Sequence, residues 1–266
     1  MELVVDGRKA YAYTGGKAFD RTLPCIVFVH GALHDHSVWT LVARWFAHHG
    51  HAVLALDQPA HGRSEGPPLA SVEALAAWVL AALDAAGVER AALVGHSMGS
   101  LVVLEAAGLA PERASRLVML GSAYPMKVSD VLLNTAQTDP LRAIDMVNVF
   151  SHSGTAAKPS YPGPGSWLHG GNRALMRRIQ AGQPELNLFR HDFGVCDAYA
   201  GGLEAAAKVR CPTTLVIGAR DQMTNPKQTA TIVSALKARV QTVDAGHTMM
   251  SEAPDAVLAA LRGALG

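Results

Sequence analysis

Short β-type runs of apolar residues alternate along the chain with segments of helical periodicity. Runs with the length and composition of buried strands lie at 26–29, 52–56, 92–94, 116–120, 213–217 and 240–243. Helical patterns lie at 38–49, 71–86, 98–109, 226–237 and 252–264. Strands without a polar face that alternate with helices predict an α/β fold with a mostly parallel sheet covered on both sides. A hairpin around Asp6-Gly7 is expected at one edge of this sheet.

This alternation stops between about Ser122 and Ala207. Four helical patterns lie there, near 128–136, 139–149, 172–182 and 184–191, together with a Pro- and Gly-rich stretch at 158–165. Open α/β folds place their sites at the carboxyl edge of the sheet, so a helical insertion after a strand end predicts a lid over that edge. We therefore expect a core at 1–121 and 208–266 and a lid at 122–207. A structural helical pair unrelated to substrate is the alternative.

A Gly-His-Ser-Met-Gly pentapeptide at 95–99 connects the run Ala91–Val94 to an apolar helical segment. G-x-S-x-G in a strand–turn–helix context is typical of a nucleophilic serine. Such a serine adopts strained backbone angles that expose its hydroxyl, and the flanking glycines avoid collisions at the turn. Ser97 is therefore the candidate nucleophile.

A serine hydroxyl needs a base within hydrogen-bond reach and an acid that orients the base. In this strand–turn–helix arrangement the chain order is serine, acid, histidine. Asp221 and His247 each follow a predicted strand, so parallel pairing brings them to the edge that carries Ser97. We expect His247 to act as the base and Asp221 as the acid, with Asp244 as the alternative acid.

Two backbone amides are expected to stabilise the oxyanion of a tetrahedral intermediate, each contributing about 3–4 kcal/mol. One is the N–H of Met98, at the start of the helix after the serine. The other is expected from the loop after the first buried strand, where the Ala32 amide is preferred and Leu33 is the alternative. Candidate apolar walls of the substrate pocket are Leu33, Trp39, Met126, Trp167 and Met249.

Composition narrows the class of protein further. The 266 residues are 49% hydrophobic and 17% charged with a net charge of +1, which indicates a globular protein without the basic patch of a nucleic-acid-binding surface. The first residues lack the basic and apolar pattern of a secretory leader, and no apolar run has spanning length, so we expect a cytoplasmic protein without a secretory leader or membrane insertion. Three widely spaced cysteines favour reduced thiols. No sequence pattern indicates an oligomeric state.

Metal binding is not expected from the sequence, although His34-Asp35-His36 has ligand-like spacing. Side chains that alternate on a loop diverge, and no second cluster of ligands accompanies them. We interpret this tripeptide as a polar loop near the pocket mouth. We expect no cofactor.

Five motifs together resemble those of the α/β-hydrolase family, in its lid-bearing branch of esterases, lactonases, haloperoxidase-like enzymes and C–C hydrolases. They are His30-Gly31 followed by Trp39, Asp57–Ser64, Gly95–Gly99, Gly218–Asp221 and Gly246-His247, and the resemblance covers essentially the whole chain. Asp57–Ser64 is similar to the family's structural D-x-P-G-x-G-x-S loop, with Ala60 in place of a glycine. Ser97 stands where dehalogenase and epoxide-hydrolase relatives have aspartate, so those two activities are not expected.

This resemblance implies a cofactor-independent serine hydrolase that cleaves small or medium carboxylic esters or lactones through an acyl-enzyme. Two alternatives use the same residues: hydrolytic C–C cleavage of diketone-like acids, and peracid formation as in cofactor-free haloperoxidases. A third alternative is a ligand receptor that retains the three residues and signals by lid movement. The expected partner is a small-molecule ester or lactone.

Overall fold

A computed structural model describes residues 1–153 and 167–266. The strands are β1 (Glu2–Val5), β2 (Arg8–Tyr13), β3 (Cys25–Val29), β4 (Ala52–Leu56), β5 (Ala91–His96), β6 (Ala114–Leu120), β7 (Thr213–Gly218) and β8 (Arg239–Val243). The helices are α1 (Thr40–Ala47), α2 (Val72–Ala85), α3 (Met98–Leu109), α4 (Asp130–Thr138), α5 (Pro140–Ser151), α6 (Leu168–Ala181), α7 (Leu188–Ala198), α8 (Gly202–Lys208), α9 (Ala230–Leu236), α10 (Met249–Glu252) and α11 (Pro254–Leu265). The Pro- and Gly-rich stretch at 158–165 lies outside the described residues.

The described strands form one eight-stranded sheet in the order β1-β2-β4-β3-β5-β6-β7-β8. β1 and β2 pair antiparallel through a hairpin in which Asp6 and Gly7 both have positive φ, as a two-residue hairpin turn requires. β2 is also antiparallel to β4, and every pair from β4 to β8 is parallel. The predicted fold class, with a mostly parallel sheet and an edge hairpin, is confirmed.

Alternate side chains of the central strands pack into two separate apolar cores, one on each face of the sheet. In β3, Val27 and Val29 pack into the core shared with α2 and α3. Ile26 and Phe28 point the other way, into the core shared with α1 and α11. The continuous apolar runs in the sequence therefore reflect strands that are buried on both faces.

Helices α4–α7 follow β6 and precede β7, in the part of the chain where the sequence pattern changes. The helical pattern near 184–191 corresponds to α7, which begins only at Leu188 because the Asn187 side chain caps it by accepting from the Arg190 amide at 3.0 Å. The short helix α8 was not expected from the sequence. It packs against α3, where a Cβ on Gly108 would lie only 2.8 Å from the Cα of Ala205.

Candidate active site

Ser97 occupies a strained turn between β5 and α3. Its backbone angles are φ 53° and ψ −122°, and its N–H donates to the carbonyl of Leu120 in β6 at 3.0 Å. A Cβ on Gly95 would overlap the Gly99 carbonyl, and one on Gly99 would overlap the carbonyl of Val29. The two glycines therefore allow α3 to start directly against the strand ends, which turns Ser97 out of the sheet.

His247 and Asp221 come from the loops that follow β8 and β7, and they form a buried pair. His247 Nδ1 donates to Asp221 Oδ2 at 2.9 Å. The hydroxyl of Thr224 donates to the same oxygen at 2.6 Å, and the amides of Met223 and Thr224 donate to Oδ1 at 2.8 Å each. Burial alone would raise the pKa of Asp221, but the His247 ring and these hydrogen bonds outweigh it and lower the pKa to about 2.

Asp244, the alternative acid, lies away from this pair. Its side chain is 82% exposed and forms a surface ion pair with Arg220 at 2.9 Å. Asp221 is therefore the carboxylate that contacts the His247 ring.

The His247 ring is also supported by His96, the residue before Ser97. The two rings lie 4.7 Å apart between centroids, and His96 Nε2 donates to the backbone carbonyl of His247 at 2.9 Å. Burial lowers the pKa of His96, so its ring is neutral. His247 and Ser97 line the same cavity, and no direct hydrogen bond joins these two described side chains. Such a contact commonly forms only when substrate is bound.

The loop after β3 approaches Ser97 closely. A Cβ on Gly31 would lie 3.0 Å from the Cβ of Ser97. The amides of Ala32 and Met98 have no acceptor within the described ranges 1–153 and 167–266. The Leu33 amide, by contrast, donates to Asp192 Oδ2 at 2.8 Å. Ala32 and Met98 therefore keep the N–H groups that are available to a ligand beside Ser97.

A cavity of about 300 Å³ lies over Ser97 and His247. Its walls come from the loop before α4, from helices α4, α5 and α7, and from the loop after β7. The apolar residues among them are Ala32, Met126, Val128, Leu132, Met146, Val147, Phe150, Phe193 and Met223. The volume is at the lower end of the range for small-molecule sites.

Of the five residues expected as pocket walls, Met126 lines this cavity and Trp167 lines a neighbouring one of about 380 Å³. Leu33, Trp39 and Met249 are fully buried and line neither cavity. Trp39 packs on Phe28, with ring centroids 5.1 Å apart, in the same apolar core as Met249. Their chain positions next to the site bring these three residues close to it, but their side chains point into packed cores.

Comparisons with known proteins agree with this architecture. The sequence profile of the family described as alpha/beta hydrolase fold matches residues 24–160, which is more than half of the chain. The chain belongs to this α/β-hydrolase fold family. The enol-lactonase from Burkholderia xenovorans LB400 superposes with a TM-score of 0.84 at 21% identity, covering 100% of this chain and 99% of that one.

Two relatives of known name match this chain over shorter segments. Esterase YbfF of Escherichia coli (strain K12) is 32% identical over 95 residues, which is 36% of this chain and 37% of the esterase. A dihydrolipoyllysine-residue acetyltransferase component of an acetoin cleaving system, from Pseudomonas putida, is 40% identical over 103 residues, 37% of this chain and 26% of that protein. The matched region thus spans about a third of each relative or less.

The loop that resembles the family's D-x-P-G-x-G-x-S motif is structural in this chain too. Asp57 is buried and accepts hydrogen bonds from the amides of His36 and Arg63 and from the His36 ring, at 2.7–2.8 Å. Ala60, which stands in the glycine position, has a positive φ of 68°. Asp35, His36 and Asp57 place possible metal-ligand atoms within 4.8 Å of one another, but Asp35 and Asp57 already accept hydrogen bonds that brace these loops.

Several side chains that shape this α/β-hydrolase site were not identified from the sequence. Thr224 lies three residues after Asp221, a spacing typical of side-chain-to-backbone turns that would have been a usable signal. Glu252 holds the His247 loop by accepting from the Gly246 amide at 3.2 Å and from the Thr248 hydroxyl at 3.0 Å. Its position in α10 gives no such signal. None of the helices within the described residues has the length and apolar character needed to cross a membrane.

Proposed function

We propose that this protein is a serine hydrolase that cleaves small or medium carboxylic esters or lactones, with Ser97, His247 and Asp221 as its catalytic triad. The observation that carries the proposal is the buried His247–Asp221 hydrogen bond of 2.9 Å beside a strained serine in one small, largely apolar cavity. Esterase and lactonase names among the similar proteins support the same class of substrate.

In the proposed mechanism, His247 Nε2 takes the proton of the Ser97 hydroxyl while Oγ attacks the carbonyl carbon of the ester. The ionised Asp221 accepts from Nδ1, which leaves the lone pair on Nε2 and stabilises the imidazolium that forms. The amides of Ala32 and Met98 donate to the oxyanion of the tetrahedral intermediate. His247 then returns the proton to the leaving alkoxide, and water attacks the acyl-enzyme by the same route.

Helices α4–α7 form the lid in this proposal, and α4, α5 and α7 supply part of the cavity wall. We place their insertion within the expected 122–207, and α8 is packed onto α3 of the core. The volume of the cavity favours an acyl group of a few carbons, since about 300 Å³ has to hold both the acyl part and the reacting centre.

The test is turnover of p-nitrophenyl acetate by the purified protein. Ser97→Ala and His247→Ala should each lower kcat by about 10⁶, the loss seen when triad members that act as a unit are removed. Ser234→Ala, on the exposed face of α9, is the matched control and should leave kcat within about twofold. If Ser97→Ala retains more than about a tenth of the wild-type rate, Ser97 is not the nucleophile.

A further inference from the structure

Asp192 is a buried carboxylate that connects helix α7 to the loop beside Ser97. It is 2% exposed. Its Oδ2 accepts from the Leu33 amide and from His61 Nε2, both at 2.8 Å. Leu33 follows β3 and His61 follows β4, so one carboxylate joins the helical insertion to two loops of the core. We call Asp192, His61 and Leu33 the buried clamp.

Hydrogen-bond geometry indicates that His61 is an imidazolium. Its Nε2 faces the Asp192 carboxylate, and its Nδ1 lies 3.0 Å from the backbone carbonyl of Pro59. Both partners only accept hydrogen bonds, so both ring nitrogens have to carry a proton. Burial disfavours the charged ring, but the attraction of Asp192 outweighs it and raises the pKa of His61. The same attraction keeps the pKa of Asp192 well below its usual value despite burial.

The titratable groups that face His61 come from each element packed around it. Asp192 and Asp57 favour its charged form. His30, with its ring centroid 5.1 Å away, and His34 are the neighbouring histidines. Burial, and then the charge of His61, lower the pKa of His30 to about 4, so that ring is neutral at pH 7.

The neutral His30 ring fixes the peptide that carries the Ala32 amide. Its Nδ1 donates to the Gly31 carbonyl at 2.8 Å, and the His34 amide donates to the same oxygen at 3.3 Å. In a trans peptide the N–H points opposite to the C=O, so holding the Gly31 oxygen directs the Ala32 N–H the other way. On the far side of Ala32, Leu33 has a positive φ of 55°, a conformation that persists only where its surroundings enforce it. The bond to Asp192 is such a constraint.

We propose that Asp192 is a positioning residue for the oxyanion hole: through the buried clamp it holds Leu33, and therefore Ala32, in the orientation that binds the oxyanion. This inference rests on the proposed function. Without the carboxylate oxygens the Leu33 amide loses its partner, and Leu33 can leave the left-handed region. The Ala32 N–H then turns away from the reacting carbonyl, while the apolar walls that bind substrate stay in place.

The kinetic experiment compares Arg190→Gln with Asp192→Ala, which removes both carboxylate oxygens. Arg190 lies on the same helix, and its side chain contacts Gln137 at 2.7 Å, away from the clamp. With p-nitrophenyl acetate, Asp192→Ala should lower kcat at least tenfold, and up to the roughly 10²–10³ of a lost oxyanion donor, with KM within about threefold. Arg190→Gln should leave both parameters within about twofold. A KM increase at constant kcat would instead assign Asp192 to the pocket wall and overturn the proposal.

A nitrogen-15 NMR experiment tests the clamp without relying on activity. In the wild type at pH 7, both ring nitrogens of His61 should be protonated and the Leu33 amide should be protected from exchange. Both signatures should be lost in Asp192→Ala and kept in Arg190→Gln. A neutral His61 in the wild type refutes the clamp even if Asp192→Ala does not fold.

The two sets of data separate the possible failures. If the wild type does not hydrolyse the ester, the proposed function fails, and the NMR result alone decides whether the clamp exists. If Asp192→Ala loses the Leu33 protection but keeps the wild-type kcat, the clamp exists but does not position the oxyanion hole, and the inference is wrong.

Discussion

Replacing Asp221 with asparagine should invert the tautomer of His247. One oxygen of the Asp221 carboxylate, Oδ1, accepts hydrogen bonds from the backbone amides of Met223 and Thr224 at 2.8 Å each. Those two donors cannot rotate away, so the asparagine has to direct its carbonyl oxygen to them. Its NH₂ group then faces His247 Nδ1, where the carboxylate oxygen was.

A donor at that position forces Nδ1 to accept and moves the ring proton to Nε2. The ring then has no lone pair to take the proton of the Ser97 hydroxyl, and the buried negative charge that stabilises the imidazolium is lost as well. A wrong tautomer in a triad of otherwise intact geometry lowers kcat by about 10⁴. At about 1.36 kcal/mol per factor of ten, this corresponds to roughly 5 kcal/mol of transition-state stabilisation.

The assay is steady-state hydrolysis of p-nitrophenyl acetate, with far-UV circular dichroism to show that the variant is folded. Asp244→Asn is the matched control: it makes the same chemical change three residues before His247, on a side chain that is 82% exposed. It should leave kcat within about twofold. A folded Asp221→Asn variant with more than about a tenth of the wild-type kcat would refute the tautomer argument, and a large loss in Asp244→Asn would reassign the acid.

Three other predictions concern the same loops. Thr224→Val removes the hydroxyl that donates to Asp221 at 2.6 Å and should lower kcat roughly tenfold, since hydrogen bonds to charged groups contribute about 1.5–3 kcal/mol; an unchanged kcat would contradict this. Gly95→Ala should lower the melting temperature by more than about 5 °C in a thermal melt, because its Cβ would overlap the Gly99 carbonyl; a melt that matches the wild type would show that the turn can relax. The folded pKa of Asp221 is lowered from 3.8 to about 2, so its stabilisation is present above about pH 4 and is lost as the pH falls through 2. Between about pH 5 and pH 2 the free energy of unfolding, measured with urea, should fall by about 2 kcal/mol more in the wild type than in Asp221→Asn, and equal losses would refute this.

The candidate site residues at the strand ends could be predicted from the sequence because the residues that shape each of these turns lie close together in the chain. Residues 95–99 contain both the turn and the reasons for it, since each glycine removes a Cβ that would collide at that turn. Asp221 and His247 were located by counting strands, and parallel pairing of β7 with β8 then brings their loops together. The roles of these residues in catalysis remain predictions that the variants above test.

The pocket was not predictable in this way, because its walls depend on how separate helices pack. Trp39 and Met249 lie next to site residues in the sequence, yet both turn into the core beneath the sheet. Phe193 and Met146, from α7 and α5, line the cavity although neither lies near a motif. The role of Asp192 could not be predicted from the sequence for the same reason. Its partner Leu33 is 159 residues away, and the helical pattern of α7 does not indicate that a charged side chain is buried there.

Under the proposed function, the catalytic chemistry and the substrate selectivity depend on different parts of this chain. The three proposed catalytic residues follow strands whose hydrogen-bonded register fixes their relative positions, so substitutions in the helical insertion can reshape the cavity without moving Ser97 or His247. Phe150 illustrates this, since it lines the cavity from the end of α5 while 47% of its surface remains exposed. The buried clamp is the exception, because it makes the orientation of the Ala32 amide depend on how α7 packs against the core. A change in the insertion that moves Asp192 should alter the rate constant itself, whereas a change in the other cavity walls should alter which acyl groups bind.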